Sequence, residues 1–243
     1  RGVAVIGNGN VAIDIARVLV KTRAEMTTSD LPDFVANAVD AAPIRDVYMF
    51  GRRGPNEAKF TNVELREMGE LDNCHPVVDP AQLPETVTGE MSDRDRRLRE
   101  KNLATLRDFL KLQPGAKQKR VHFAFFAKPV EILGGDRVEG LRLERTTVVD
   151  GRAVDTGEFF EIECGIVIPA IGYTAEPIEG TPFDRKQGIV VNADGRVEQG
   201  LYVAGWVKRG PTGVIGTNKP DGDAAAEQIL KECGEGRKPG RAA

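Results

Sequence analysis

A glycine-rich turn near the start of the sequence restricts the possible folds more than any other feature. It has the pattern G-x-G-x-x-A over residues 7–12, and it follows the β-branched run of residues 2–6. Apolar residues then recur with helical spacing up to Arg23. This order of strand, turn and helix predicts a Rossmann-type unit, in which Gly7 permits the tight turn and Gly9 lets the backbone approach a dinucleotide pyrophosphate.

The start of the helix after this turn supplies the expected phosphate contacts. The first amides of a helix have no partner within the helix, and they carry a partial positive charge. We therefore expect Asn10 and Val11 to bind the pyrophosphate, while Ala12 keeps the helix close to the strand. The same small residues also suit a turn that only joins a strand to a helix.

Two arginines follow the second predicted strand, residues 47–50. Folds that select NAD normally carry an acidic residue at this place, where it binds the ribose 2′-hydroxyl. Arg52 and Arg53 instead favour a 2′-phosphate, because guanidinium groups bind phosphate in pairs of hydrogen bonds. Arg52 lies further along the chain than the usual distance of roughly 20 residues from the motif, and an extra helical segment at residues 31–42 accounts for this. A solvated basic turn is the alternative interpretation.

The remaining pattern changes from helices to consecutive strands. Helical spacing covers residues 31–42, 57–71 and 92–112, and the proline-containing stretch 72–90 is predicted to be a loop. Strands are predicted at residues 120–127, 130–133, 138–144 and 159–169, with turn signals that fit a meander. A short strand at residues 201–204 and a helix at residues 221–233 complete the pattern.

These elements predict an α/β protein in two parts. Residues 1–170 are expected to form a Rossmann-like NADP-binding domain with a β-meander, and residues 171–243 a second part. We place the boundary near Ile171 and Gly172, where a segment containing proline and glycine begins.

Composition excludes several classes of protein. Cys74, Cys164 and Cys233 form no CxxC pair, and His75 and His122 are the only histidines, so a zinc site or a redox-active dithiol is not expected. The formal net charge of −3 gives no general attraction to nucleic acid. No apolar run approaches the roughly 20 residues of a membrane span, and no export signal is recognised. The cytoplasm is therefore the expected location.

Several segments together resemble the adrenodoxin-reductase-like ferredoxin:NADP reductases in order and spacing. They are GNGNVA at 7–12, RRGP at 52–55, FT at 60–61, ELRE at 64–67 and GWVKRGPTGVIGTNK at 205–219. In that family, a flavin domain made of two chain segments encloses an inserted NADP domain. The resemblance implies that residues 171–243 are a partial FAD-domain segment, and that the amino-terminal flavin segment is absent from this sequence.

The resemblance also implies roles for individual residues on the NADP side. Asn10 and Val11 correspond to the pyrophosphate contacts, Arg52 and Arg53 to the 2′-phosphate contacts, and Glu64 to a contact with the ribose on the nicotinamide side. NADP and FAD are the cofactors that the family implies.

On the flavin side, the resemblance places Trp206 and the run Gly213, Val214 and Ile215 against the flavin, with Gly213 near the nicotinamide. Glu67 corresponds to an acid that faces the reacting groups, and it is the one candidate catalytic residue. An exposed helical glutamate is the commoner explanation for such a residue.

A basic stretch at residues 92–101 suggests where a protein partner docks. Family members receive small acidic iron-sulfur proteins on a basic surface, so Arg94, Arg97 and Lys101 are candidates for that contact. A solvated helix face held by local ion pairs explains the same residues. Nucleic-acid binding is not indicated, because aromatic residues do not alternate with these charges.

The function predicted from the family is an NADPH-dependent flavoprotein reductase that passes electrons through FAD to a ferredoxin-type iron-sulfur protein. An isolated NADP-binding module without reductase activity is the first alternative. A related flavoprotein with two dinucleotide sites, such as the small subunit of glutamate synthase or a thioredoxin reductase, is the second. The missing CxxC pair opposes thioredoxin reductase, and the segment around Trp206 opposes both.

Overall fold

The computed structural model describes residues 2–211, 213 and 215–233. These residues divide into two compact units on either side of the bond between Ile171 and Gly172, called here the first unit and the second unit.

The described elements of the first unit alternate helices and strands before a group of consecutive strands. In chain order they are β1 (Gly2–Ile6), α1 (Asn10–Val20), α2 (Arg23–Met26), α3 (Asp33–Ala41), β2 (Asp46–Phe50), α4 (Asn62–Glu70), β3 (Cys74–Val78), α5 (Asp93–Phe109), β4 (Lys119–Ala124), β5 (Ala127–Leu133), β6 (Gly140–Val149), β7 (Arg152–Glu163) and β8 (Ile166–Pro169). Short 3-10 turns lie at Pro55–Glu57 and Pro80–Gln82.

A parallel sheet of five strands forms the centre of the first unit, in the order β3-β4-β2-β1-β8. The chain passes from β1 to β2 on one side and later returns to add β8 on the other side of β1. The sheet therefore has its topological switch point at β1, and in open α/β sheets ligands bind outside the carboxyl ends of the strands at this point. The expected α/β Rossmann-like fold is confirmed.

Both faces of the sheet are covered, because neighbouring side chains of a strand point to opposite faces. Val3 and Val5 of β1 pack in a cluster with residues of α1, α4 and α5. Ala4 and Ile6 of the same strand pack in a second cluster with residues of β5 and β6. The first unit thus has helices on one face of the sheet and the meander on the other, with β1 buried between them.

The meander is an antiparallel sheet of three strands in the order β5-β6-β7. Its second turn contains Asp150 and Gly151, both with positive φ, as the turn signal in the sequence indicated. A register irregularity between Glu144 and Thr146 lets β6 bend as it passes along the first sheet.

The second unit contains two small hairpins and two helices among its described residues. Strands β9 (Phe183–Asp184) and β10 (Ile189–Val190) form one hairpin, and β11 (Arg196–Glu198) and β12 (Leu201–Tyr202) form the other. Helices α6 (Trp206–Arg209) and α7 (Ile215–Cys233) follow. Across the described parts of both units, every helix is too short or too polar to cross a lipid bilayer.

The prediction that residues 72–90 form a loop is wrong in part, because Cys74–Val78 form strand β3. The strand contains Pro76, which lacks the amide that a central strand must donate. It lies at an edge of the sheet, where only one neighbour needs to be paired, and Cys74, Pro76 and Val78 alternate toward the interior. Proline was therefore a misleading loop signal here.

Several predicted boundaries were also wrong. The helix expected at residues 57–71 begins at Asn62, because Lys59 pairs its amide with the carbonyl of Asn8 instead of entering a helix. The helix expected at residues 221–233 begins earlier, at Ile215. The strand expected at residues 159–169 is two strands in different sheets, β7 and β8, separated at Cys164 and Gly165.

Candidate functional site

The glycine turn lies at the carboxyl end of β1, next to the end of β8. Gly7 has φ of +148°, and a Cβ at this residue would lie 2.3 Å from the carbonyl oxygen of Ala170. The amide of Gly7 donates to Phe50 O at 2.9 Å, and the amide of Ala170 donates to Ile6 O at 2.8 Å. Residue 7 must therefore be glycine, since the backbones of three adjacent strands meet around it.

Gly9 has a different reason to lack a side chain. Its φ of −124° is available to any residue, and no atom lies within 4 Å of the position that a Cβ would take. Gly9 is the N-cap of α1, so no side chain of the N-cap accepts a hydrogen bond from the first amides of the helix. The first turn of α1 also contains no acidic residue. The positive end of α1 therefore faces open space, which is the arrangement that accepts an anionic group.

The side chain of Asn8 joins the glycine turn to the end of β2. A Cβ at Gly51 would lie 1.7 Å from Asn8 Nδ2, so the amide of Asn8 occupies the room that Gly51 leaves. The Asn8 Oδ1 atom is buried and has no hydrogen-bond partner among the described residues. Sequence reasoning missed Asn8, although Gly51 directly before two arginines was a signal that the backbone there is closely approached.

The arginine loop, residues 52–53, is fixed by the meander. The carbonyl of Arg52 accepts from Thr146 Oγ1 at 2.8 Å, and the carbonyl of Arg53 accepts from the amide of Phe126 at 3.2 Å. Arg53 Nη1 also donates to the carbonyl of Gly151 at 3.3 Å. The backbone of the loop is thus held in place, while the Arg52 side chain is exposed and makes no hydrogen bond or ion pair with the described residues.

The structure brings the glycine turn and the arginine loop together at one edge of the sheet. β1 and β2 are adjacent and parallel, with Ile6 in register with Phe50, so residues 7 and 51 leave the sheet side by side. The free amides at the start of α1 and the two arginines of the loop therefore both follow the carboxyl ends of adjacent strands.

A group of charged residues connects α1 to α4. Arg17 bonds to Asp14 Oδ1 at 3.1 Å, and it forms an ion pair with Glu67. Burial raises the pKa of Asp14, and the nearby carboxylates of Glu64 and Glu67 add to the increase while Arg17 opposes it. The buried atoms Arg17 Nε and Glu64 Oε2 have no partner among the described residues.

This charged group contains two predicted residues and two that the prediction missed. Glu64 and Glu67 lie one turn apart on α4, as their spacing implied. The sequence prediction lacked Asp14 and Arg17, although an Asp and an Arg three residues apart in a mostly apolar helix were a usable signal.

The flavin-side candidates belong to the second unit. Trp206 is 43% exposed and stacks on Tyr173, with ring centroids 5.8 Å apart. It follows Gly205, whose φ is +66°, and Gly213 is exposed with φ of +85°. Ile215 is the first residue of α7, and Val214 lies outside the described residues.

The basic candidates of α5 line one open groove. Its volume is about 330 Å³, and Arg94, Arg97 and Lys101 line it together with Asp93 and Leu98. Three cations thus lie on one face of the helix around an exposed leucine. Within the described residues, no group of three or more His, Cys, Asp or Glu side chains is arranged to hold a metal ion.

A polar cluster on the meander side of the sheet was not expected from the sequence. His122 Nε2 lies 2.8 Å from Asp46 Oδ1, and Arg120 Nε donates to the same oxygen at 2.7 Å. The His122 ring stacks on Tyr48 at 4.5 Å between centroids. Burial lowers the pKa of His122, and Asp46 only partly offsets this effect.

Comparison with known proteins identifies the family. NADPH-ferredoxin reductase FprA of Mycobacterium tuberculosis is 38% identical over 240 residues, which cover 96% of this chain and 52% of FprA. The mitochondrial NADPH:adrenodoxin oxidoreductase of Homo sapiens is 35% identical over 252 residues, covering 97% of this chain and 51% of that protein. The chain belongs to the adrenodoxin-reductase-like ferredoxin:NADP reductases.

Solved structures agree with this assignment. The structure of M. tuberculosis FprA in complex with NADPH has a TM-score of 0.86 and 38% sequence identity, and the match covers 96% of this chain and 53% of that one. A further FprA structure, described by a covalent modification of NADP+, has a TM-score of 0.87. The chain spans about half the length of the relatives that it matches. No protein-family model matches it.

Proposed function

We propose that the first unit binds NADP(H), and that the chain serves in an NADPH-dependent flavoprotein reductase that passes electrons through FAD to a ferredoxin-type iron-sulfur protein. The observation that carries the proposal is the junction of the glycine turn and the arginine loop on the adjacent strands β1 and β2. The names of the relatives, an NADPH-ferredoxin reductase and an NADPH:adrenodoxin oxidoreductase, support the same reaction.

In this proposal the two phosphate-bearing parts of NADP(H) have separate contacts. The amides of Asn10 and Val11, at the open start of α1, bind the pyrophosphate. Arg52 and Arg53 bind the 2′-phosphate, and the fixed backbone of their loop reduces the entropy that the protein loses on binding. Since the Arg52 guanidinium is exposed, it can turn toward the ligand at little cost.

The nicotinamide end extends from the pyrophosphate toward Glu64 and Glu67 on α4. Glu64 is assigned to the ribose on that side, where its partly exposed carboxylate can accept a hydroxyl hydrogen bond. Glu67 is the candidate catalytic residue, and its ion pair with Arg17 of α1 holds its side chain in place. Hydride transfer to FAD requires mainly alignment, so we assign these residues to positioning and charge.

The second unit contributes Trp206 and residues 213–215 as the part of the FAD domain that contacts the flavin. Trp206 offers an exposed aromatic face supported by Tyr173, which suits stacking on a planar ring system. Gly213 has a positive φ, which glycine adopts readily, and it has no side chain to keep a ligand from its backbone. FAD would supply the conversion of a two-electron hydride to single electrons.

The basic groove of α5 is the proposed docking surface for the iron-sulfur partner. Arg94, Arg97 and Lys101 are on one face, so their charges add, and complementary charge accelerates the encounter of two proteins. A cytoplasmic location stays a prediction, because the names of the relatives include mitochondrial proteins.

Titration with NADP+ and NAD+ tests the proposed site. We expect the wild-type chain to prefer NADP+, and Arg52→Ala or Arg53→Ala to reduce that preference by roughly 10-fold to 100-fold, since one charge-assisted contact contributes about 1.5–3 kcal/mol. Affinity for NAD+ should change little, because NAD+ carries no 2′-phosphate.

Arg137→Ala is the matched control, because Arg137 is an exposed arginine at the turn between β5 and β6, at the opposite end of the meander from Gly151. This variant should bind both nucleotides as the wild type does. An unchanged preference for NADP+ in both Arg52→Ala and Arg53→Ala would refute the assignment of the 2′-phosphate site.

A further inference from the structure

A buried polar network joins helix α5 to the glycine turn. Asn102 of α5 is 2% exposed, although asparagine is usually found at protein surfaces. Its Nδ2 donates to the carbonyl of Phe60 at 3.0 Å, and its Oδ1 accepts from Asn62 Nδ2 at 3.2 Å. Asn62 Nδ2 also lies 3.0 Å from Thr105 Oγ1. Buried amides are retained where each of their polar groups has a specific partner.

The segment that Asn102 binds is the one that contacts the glycine turn. The amide of Thr61, between Phe60 and Asn62, donates to Asn10 Oδ1 at 2.7 Å. Two residues earlier, the amide of Lys59 donates to the carbonyl of Asn8 at 2.8 Å. The segment 59–62 therefore has the turn on one side and Asn102 on the other.

The orientation of each amide is fixed by its partner. A backbone carbonyl only accepts hydrogen bonds, so Asn102 must direct Nδ2 toward Phe60 and Oδ1 toward Asn62. A backbone amide only donates, so Asn10 must direct Oδ1 toward Thr61. Reversing any one of these groups would set donor against donor or acceptor against acceptor.

From this chain of contacts we infer that Asn102 is a positioning residue for the pyrophosphate site. It holds residues 60–62 in the one place from which the Thr61 amide can fix the side chain of Asn10, the first residue of α1. Asn102 touches no part of the ligand. The inference rests on the proposed function, because it concerns the same NADP site.

Asn102 should affect the binding of the pyrophosphate of NADP(H) and not the binding of its 2′-phosphate. The arginine loop is held by Thr146 of the meander and by Phe126, the residue before β5, and the Asn102 network does not reach it. Loss of Asn102 should therefore weaken contacts to the pyrophosphate and leave contacts to the 2′-phosphate in place. General loosening of the first unit would weaken both.

Two ligands measure these contacts separately in the 243-residue chain. Adenosine 2′-monophosphate carries the 2′-phosphate and no pyrophosphate, whereas 2′-phospho-ADP-ribose carries both. We expect Asn102→Leu to raise the Kd of 2′-phospho-ADP-ribose about tenfold, the equivalent of one lost hydrogen bond, and to change that of adenosine 2′-monophosphate less than about twofold.

Asn62→Ala is a second variant at a less buried position, and it removes the partner of Asn102 Oδ1 without changing Asn102 itself. This variant should also raise the Kd of 2′-phospho-ADP-ribose. Leu103→Ala is the matched control, because Leu103 is the buried neighbour of Asn102 on α5 and belongs to no part of the network. The Leu103→Ala variant should have a lower free energy of unfolding than the wild type. The ratio of its Kd values for 2′-phospho-ADP-ribose and adenosine 2′-monophosphate should be unchanged.

The outcomes separate the inference from the proposed function. Equal weakening of both ligands in Asn102→Leu and Asn62→Ala, or no weakening in either variant, would overturn the positioning role. A wild-type chain that binds adenosine 2′-monophosphate no better than adenosine 5′-monophosphate would overturn the proposed NADP site itself.

Discussion

Gly7 and Gly9 offer a sharp test, because the same substitution should lower stability at Gly7 and should instead weaken NADP+ binding at Gly9. A Cβ at residue 7 would lie 2.3 Å from the carbonyl oxygen of Ala170, and φ there is +148°. A Cβ at residue 9 would have no neighbour within 4 Å, and φ there is −124°.

The expected loss of stability for Gly7→Ala has two sources. Holding alanine at a positive φ of this kind costs about 1–3 kcal/mol. Forcing the carbonyl of Ala170 to move, in a sheet where Ala170 also bonds to Ile6, adds about 1–3 kcal/mol, as other overpacked sites do. The free energy of unfolding should therefore fall by about 2–6 kcal/mol.

Gly9→Ala should leave the free energy of unfolding within about 1 kcal/mol of the wild type. Alanine is a poorer N-cap than glycine, but it also reduces the entropy of the unfolded chain by about 0.4–1 kcal/mol, so the two effects nearly cancel. Its methyl group would instead stand in the open space before α1 and weaken the binding of NADP+.

Urea unfolding followed by circular dichroism measures the first effect, and titration with NADP+ measures the second. The fluorescence of the single tryptophan is a poor probe, since Trp206 belongs to the second unit. A Gly7→Ala variant within about 0.5 kcal/mol of the wild type, or a Gly9→Ala variant as unstable as Gly7→Ala, would refute the structural reasoning.

Two further predictions follow from the pKa shifts of buried groups. Burial lowers the pKa of His122 from its ordinary value of 6.5, so the unfolded chain binds the proton more readily and stability should decline as the pH falls below about 6.5. The slope of unfolding free energy against pH between 7 and 5 should decrease in His122→Gln, and an unchanged slope would contradict this. Burial raises the pKa of Cys74 to about 12, so iodoacetamide at pH 8 should leave Cys74 unmodified in the native chain and label it in urea. Peptide mapping that shows rapid native labelling of Cys74 would count against the buried thiol.

The sequence was most informative where local chemistry determines the structure. The glycine turn required a specific backbone and predicted both β1 and the start of α1. Turn residues such as Asp150 and Gly151 correctly predicted the hairpin between β6 and β7. In each case the signal lies within a few neighbouring residues, so it can be read without knowing the distant contacts.

The errors arose where distant partners decide the outcome. Whether Pro76 is a loop residue or part of an edge strand depends on β4, whose sequence lies more than 40 residues further on. The start of α4 depends on the pairing of Lys59 with Asn8. Buried Asn102 looks like any polar residue in a charged helix until Phe60 is seen next to it.

The attachment of the arginine loop to the meander has a consequence for protein engineering. Thr146 and Phe126 anchor the loop, and Gly151 receives a hydrogen bond from Arg53, although all three lie at least 70 residues downstream. If Arg52 and Arg53 bind the 2′-phosphate as proposed, coenzyme preference depends on two separate chain segments. Grafting Arg52 and Arg53 alone into an NAD-dependent relative would transfer the charges without their supports, and a successful exchange would have to transplant the hairpin as well.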